Sequence, residues 1–227
     1  MATLRELKSR TASVLRSTVL SAVQWWLRRR GDRDDLSRAE LRLLCFGWGN
    51  TTWAASPDYL RLVIAAVRLT DGAIVEAGSG LTTLVLDAVT PPGRRVVALE
   101  HHDGWASRVN ARLREGGATV LSRPLQSYGE FDWYGVAGSD LPADVGLVIV
   151  DGPPGTTRGG RVGALPVLAP VLRQGAMALV DDAGRQGERA VLHSWQERYG
   201  VEWQLLELPS RPAARVIVTD LDRLRDG

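Results

Sequence analysis

The sequence has a single cysteine, Cys45, and a single lysine, Lys8, among 227 residues. One thiol excludes an intramolecular disulfide and any zinc site built from several cysteines, and it fits a reducing cytosol. Arginine stands where lysine would, which reads as genomic composition bias rather than as function. Net charge is scarce too, +2 at neutral pH, so no general polyanion-binding field is expected. No apolar run reaches the roughly 18 residues of a membrane span. The start lacks the uninterrupted apolar core and small-residue cleavage site of a secretory signal, so the expected compartment is the cytoplasm. Internal repeats and low-complexity tracts are absent. What is plentiful is apolar residues, 44% of the chain, enough for a core and contrary to disorder. The length suits one large α/β domain with an extension.

The small charge is unevenly placed. Residues 1–30 hold seven basic side chains against Glu6, and the remainder is net acidic. The spacing of Leu4, Leu7, Thr11, Val14, Thr18 and Trp25 predicts a helix over 2–30, its stripe broadened by Leu15, Val19, Ala22 and Trp26. Trp25 and Trp26 lie beside Arg28, Arg29 and Arg30, as in interfacial helices. Three destinations are open for this helix: its own domain or a sister subunit, an anionic membrane surface, or a partner protein. Residues 31–35 form a charged connector. A short helix is expected over Leu36–Leu44 with Ser37 as N-cap, then an ordered loop over Phe46–Trp53. Ser56 and Pro57 open a helix to about Leu69. The expected division is a helical extension over 1–56 and a larger domain over 57–227.

From Ile74 onward strands and helices alternate. Strands are expected at Ile74–Ala77, Arg95–Glu100, Thr119–Ser122, Val145–Val150, Ala176–Val180, Val201–Leu208 and Ala213–Thr219. The intervening helices are expected at Leu81–Val89, Gly104–Arg114, Ala164–Arg173 and Glu188–Tyr199, with an irregular stretch through Tyr128–Tyr134. This order predicts an α/β fold: a Rossmann-like, seven-stranded, mostly parallel sheet with helices on both faces. The short turn Pro209–Pro212 makes the last two strands an antiparallel hairpin.

Ligands of open α/β sheets bind outside the carboxyl ends of the strands. Four apolar strands here end in acids: Glu76 before Gly78-Ser79-Gly80, Glu100 before His101-His102, Asp151 before Gly152-Pro153-Pro154, and the pair Asp181-Asp182. The glycine turn lets backbone N–H groups approach an anionic ligand at a helix N-terminus. The third glycine of a dinucleotide fingerprint is replaced by Thr83, which, with the closing hairpin, disfavours a nicotinamide oxidoreductase. Glu100, 24 residues after Glu76, is placed to accept two ribose hydroxyls.

With those motifs in hand, residues 57–219 resemble the class I S-adenosylmethionine-dependent methyltransferases, in a bacterial small-molecule O-methyltransferase-like branch. The resemblance implies that Gly78, Ser79 and Gly80 lie along the methionine part of S-adenosylmethionine (SAM), with Glu76 holding its amino group. It implies that Glu100 takes the ribose and His101 flanks the adenine, with Gln126, in Leu125-Gln126-Ser127, on the other adenine face. Asp151 is placed beside the methyl. Asp151, Asp181 and Asp182 resemble the acids of catechol-type O-methyltransferases, which implies a Mg²⁺ site; the alternative is that these acids bind substrate or pair with Arg158, Arg161 or Arg185.

The expected reaction is methyl transfer from SAM to a hydroxyl of a small molecule, with Asp151 or His101 as general base and His102 a further candidate. An amine acceptor, or SAM binding without transfer, are the alternatives. Basic residues do not gather around the expected site, so nucleic acid is a poor substrate. Peripheral membrane contact through residues 1–30 and a homodimer are the remaining partner expectations.

Overall fold

In the computed structural model, which describes residues 4–30, 36–50 and 53–226, the seven expected strands form one sheet. They are β1 (Ala73–Ala77), β2 (Val96–Glu100), β3 (Thr119–Ser122), β6 (Val145–Val150), β7 (Leu172–Val180), β8 (Glu202–Leu206) and β9 (Ala213–Ile217). Their spatial order is β3-β2-β1-β6-β7-β9-β8. The pairs from β3 to β7 are parallel, and β9 runs antiparallel to both β7 and β8. The strands β1, β2 and β6 are buried at every position, as near-continuous Val/Ile/Leu runs between two helical layers must be. The switch point, where the chain leaves β1 for opposite sides of the sheet, lies between β1 and β6.

Helices α3 (Pro57–Leu69), α4 (Leu81–Val89), α5 (Asp103–Asn110), α6 (Ala164–Leu168) and α7 (Gln186–Tyr199) flank the sheet, and α8 (Leu221–Asp226) ends the described chain. Ser56 caps α3 by accepting the Tyr59 N–H, with Pro57 in the first turn. Helix α6 is shorter than the expected Ala164–Arg173. Pro170 cannot continue it, and the strand begins at Leu172, with a register shift before Met177. The stretch expected to be irregular carries a second sheet, β4 (Leu125–Ser127) against β5 (Asp132–Tyr134). Trp133 is wholly buried there and Tyr134 nearly so.

Helix α1 (Leu4–Arg30) is the expected length, but its buried face is rotated. Leu20, Gln24 and Leu27 are buried, with Val23 and Trp26 packed beside them, whereas Val14, Leu15 and Trp25 of the expected stripe are exposed. The cause is close packing against α2 (Arg38–Trp48): a Cβ on Gly47 would lie 2.8 Å from the Leu20 nitrogen, so only glycine admits this approach. Arg28 then donates to the buried carboxylate of Asp87 in α4 at 3.0 Å. Leu20, Leu27, Leu41, Leu44 and Trp48 consequently share one apolar cluster with α3, α4 and the sheet. Ser37 caps α2 in a reciprocal capping box with Glu40, and the helix runs on to Trp48, past the expected end at Leu44. The expected connector 31–35 lies outside the described residues. Among the described residues no helix is long and apolar enough to cross a membrane.

Candidate active site

The site is built where the turns after β1 and β6 touch. Gly78 has φ +91°, a conformation that favours glycine, and a Cβ there would lie 3.1 Å from the Gly152 nitrogen. A Cβ on Gly152 would meet the Tyr134 hydroxyl at 2.5 Å and the Gly78 Cα at 2.9 Å. The N–H groups of Asp151 and Gly152 both donate to the Ala77 carbonyl, at 3.0 and 2.7 Å. The glycine after Asp151 is therefore a packing requirement of the glycine turn itself.

Behind that turn, Glu76 is buried and its Oε2 accepts the Thr83 hydroxyl at 2.6 Å. Thr83 Oγ1 in turn accepts the Gly80 N–H at 2.9 Å. Burial pushes the Glu76 carboxyl well above its usual range, against the opposing Thr83 hydrogen bond. Glu76 thus braces the turn through Thr83 and does not line the cavity. Thr83 looked like a departure from a glycine pattern; it is the residue that joins strand acid to turn.

Glu100, at the end of β2, is buried. Its Oε2 accepts the Ser79 hydroxyl at 3.0 Å, and its Oε1 accepts the His102 N–H at 2.9 Å with His101 Nδ1 at 3.1 Å. His102 caps α5 by accepting the Trp105 N–H on Nδ1, so that lone pair is spent on structure. The Trp105 indole donates to the Ser79 carbonyl at 2.8 Å and meets Trp48 edge to face at 5.5 Å. Helix α2 thereby buttresses the glycine turn from outside.

A cavity of about 710 Å³ opens over these groups, lined by Gly78, Ser79, Glu100, His101 and Asp151 among others. Tyr134 also lines it. Its ring is nearly buried, and among the described residues its hydroxyl makes no hydrogen bond. Gln126 is not among the lining residues: it sits on β4, exposed, donating to the Tyr128 hydroxyl at 2.9 Å. On that small sheet Tyr134 of β5 lines the cavity, as do His102, Gly104 and Trp105. Trp53, 73% exposed, and Asn50 line it from the extension.

Asp151 and Asp182, which line the cavity, come together with Asp181, each offering an oxygen within 4.8 Å of the others. Burial first, then the charge of Asp181, pushes the Asp151 carboxyl up to about 7. Burial also raises Asp181, against the opposing charge of Arg211. Three guanidinium groups enter the cluster. Arg161 donates to the Asp181 and Asp151 carbonyls at 2.6 and 2.8 Å and lies 3.4 Å from Asp151 Oδ1. Arg185 reaches Asp182 Oδ2 at 2.8 Å. Arg211, from the turn between β8 and β9, lies 2.9 Å from Asp181 Oδ2 and 3.0 Å from Asp182 Oδ1. Arg158 is elsewhere, paired with Asp132. Arg211 carried no signal in the sequence beyond its place in a short turn.

No family model matches the chain, and neither does any curated protein. Solved structures do resemble it. The O-methyltransferase from Bacillus cereus in complex with SAH superposes with a TM-score of 0.55 at 15% identity, over 87% of this chain and 97% of its own. The SAH-bound Podospora anserina methyltransferase gives 0.52 at 14% identity, over 97% and 99%. A SAM-dependent O-methyltransferase from Thermotoga maritima gives 0.54 at 14% identity, over 82% and 72%. The likeness is one of fold.

Proposed function

We propose that this chain, whose fold is that of the class I methyltransferases, binds SAM and transfers its methyl group to a hydroxyl of a small molecule. The observation that carries the reading is that Gly78, Ser79 and Glu100 line the same cavity as Asp151, at the switch point of the sheet. The residues present fit the cofactor: two abutting glycines that exclude side chains, a buried carboxylate beside them, and a tyrosine hydroxyl without a partner among the described residues. Glu100 would take the ribose hydroxyls, exchanging its bond from Ser79 for theirs. Ser79 and the turn N–H groups would hold the methionine end.

When bound, the cofactor supplies a methyl already activated on sulfur, so the protein's work is alignment, water exclusion and proton removal. A hydroxyl acceptor must lose a proton, and Asp151, with its carboxyl near 7, is the group placed to receive it. His101 is engaged with Glu100 through Nδ1 and reads better as a cofactor wall. An exposed stretch of α1 with Val14 and Leu15 beside Arg10 and Arg16 keeps open a contact with an anionic surface or a second subunit. Cosedimentation with anionic vesicles and sedimentation velocity would separate those two.

The test is calorimetric titration with S-adenosylhomocysteine (SAH) and, separately, with NAD. Micromolar SAH binding and no NAD heat are expected. Absence of SAH binding overturns the reading.

A further inference from the structure

The acid trio has the composition of a divalent cation site, yet its oxygens are already spent. Asp181 Oδ1 accepts the Asp182 N–H at 2.8 Å and its Oδ2 faces Arg211. Asp182 Oδ1 faces Arg211 Nε, and its Oδ2 faces Arg185 at 2.8 Å and Arg161 at 3.9 Å. Asp151 Oδ1 faces Arg161. Among the described residues only Asp151 Oδ2 is without a cationic or N–H neighbour. Glu188, buried, adds a fourth carboxylate 3.8 Å from Arg161. Three guanidiniums thus meet four carboxylates, and a divalent ion would turn near-balance into positive excess.

Geometry says the same. A Mg²⁺ ion demands oxygens at about 2.0–2.1 Å in an octahedron. To bridge Asp181 Oδ2 and Asp182 Oδ1 it would have to occupy the space that the Arg211 guanidinium fills. Arg211 is not a loose surface charge: it also donates to the Ala54 carbonyl at 3.2 Å, and the neighbouring Ser210 hydroxyl donates to Ser56 Oγ at 2.7 Å. The residues present therefore do not fit a metal ion.

We infer that Arg211, with Arg161, takes the place of a divalent cation at the acceptor end of the cleft, so that the acid trio is held by guanidinium groups and the protein works without a metal. The cleft's role rests on the methyltransferase reading; the occupancy of the trio does not. The inference separates this chain from the cation-dependent arrangement that its acids resemble.

The experiment is titration of Mn²⁺, then Mg²⁺, into the full-length, EDTA-stripped protein, with and without saturating SAH, for the natural chain and for Arg211→Ala. No saturable cation binding up to millimolar concentration is expected in the natural chain. Arg211→Ala frees Asp181 Oδ2 and Asp182 Oδ1 together and is expected to gain a Mn²⁺ site at least tenfold tighter than any in the natural chain. Stoichiometric micromolar binding by the natural chain overturns the inference, as does an Arg211→Ala variant that folds and gains no affinity. If the variant does not fold, the natural chain still decides. SAH heat in the same cell reports separately on the cofactor reading, so loss of one leaves the other legible.

Discussion

Arg161 donates to the carbonyl oxygens of Asp151 and Asp181, the first residues past β6 and β7, at 2.8 and 2.6 Å. One buried side chain thus fixes the spacing of two neighbouring strand ends, and with it the position of the Asp151 carboxylate over the glycine turn. Removing it takes the paired cation from Asp151 and from the buried Glu188, and breaking a buried ion pair costs about 3–5 kcal/mol. Arg161→Ala is expected to lower the urea midpoint by a large fraction of the protein's stability. Arg161→Lys restores charge without the two-carbonyl reach and should recover only part.

Glu100 loses its acceptor role in Glu100→Ala. Charge-assisted hydrogen bonds are worth about 1.5–3 kcal/mol each, so SAH affinity should fall at least tenfold in calorimetry. An unchanged dissociation constant removes Glu100 from the site.

Asp151 sets a pH dependence whose two consequences run in opposite directions. Its carboxyl is raised to about 7, so proton acceptance, and with it methyl transfer, should rise as pH passes through about 7. Folding stability behaves oppositely: the group's contribution is present below the ordinary carboxylate range and is lost as pH climbs through about 7. Asp151→Asn should abolish the rate inflection, leave SAH affinity nearly unchanged, and gain stability relative to the natural chain as pH rises from the ordinary carboxylate range to about 7, levelling off above it. Melting temperatures across that window check the sign. The charge of Asp181 helps raise Asp151, so the inflection belongs to the two acids together.

Thr83→Val removes the hydroxyl that joins Glu76 to the Gly80 N–H while keeping shape. The buried Glu76 carboxyl loses its partner, at about 1–3 kcal/mol, and the half-buried Gly80 N–H loses its own. Lower stability together with weaker SAH binding is expected, and Thr83→Ser should rescue both. A Thr83→Val protein with native SAH affinity would confine the relay to structure.

Tyr134→Phe tests the hydroxyl that lies at the Gly78–Gly152 contact and has no partner among the described residues. Thermal stability should hold, since no protein hydrogen bond is lost, while SAH affinity or turnover falls several-fold.

Strand-end acids and the glycine turn were legible because their information is local: an apolar run, an acid, a turn. The sheet followed from alternation, and the closing hairpin from its short Pro-bounded turn. The face of α1 was not legible, because Val14, Leu15, Val19, Leu20, Val23, Trp25 and Trp26 place apolar groups all around the helix. Gly47 on another helix decides which of them are covered. The β4–β5 hairpin escaped because three-residue strands carry almost no periodicity. Gln126 was placed by position along the chain, and the pairing of that hairpin turns it to solvent. The arginines were hardest: a guanidinium in a loop carries no signal until the fold shows which carboxylates it meets. Arg161 was at least near Asp151 in sequence, whereas Arg211 is 30 residues from Asp181 and is brought back by β9.

The sheet order has a consequence for the chain during its synthesis. Strand β9 lies between β7 and β8, so while translation has passed β8 but not β9, the nascent protein carries the apolar β7 with one edge unpaired, a template for wrong pairing. The turn that leads into β9 also bears Arg211. The ribosome therefore delivers the cover for that edge and the counter-ion for Asp181 and Asp182 within the same few residues. Until they emerge, the β7 edge is open and Asp181 and Asp182 lack the Arg211 guanidinium that bridges them.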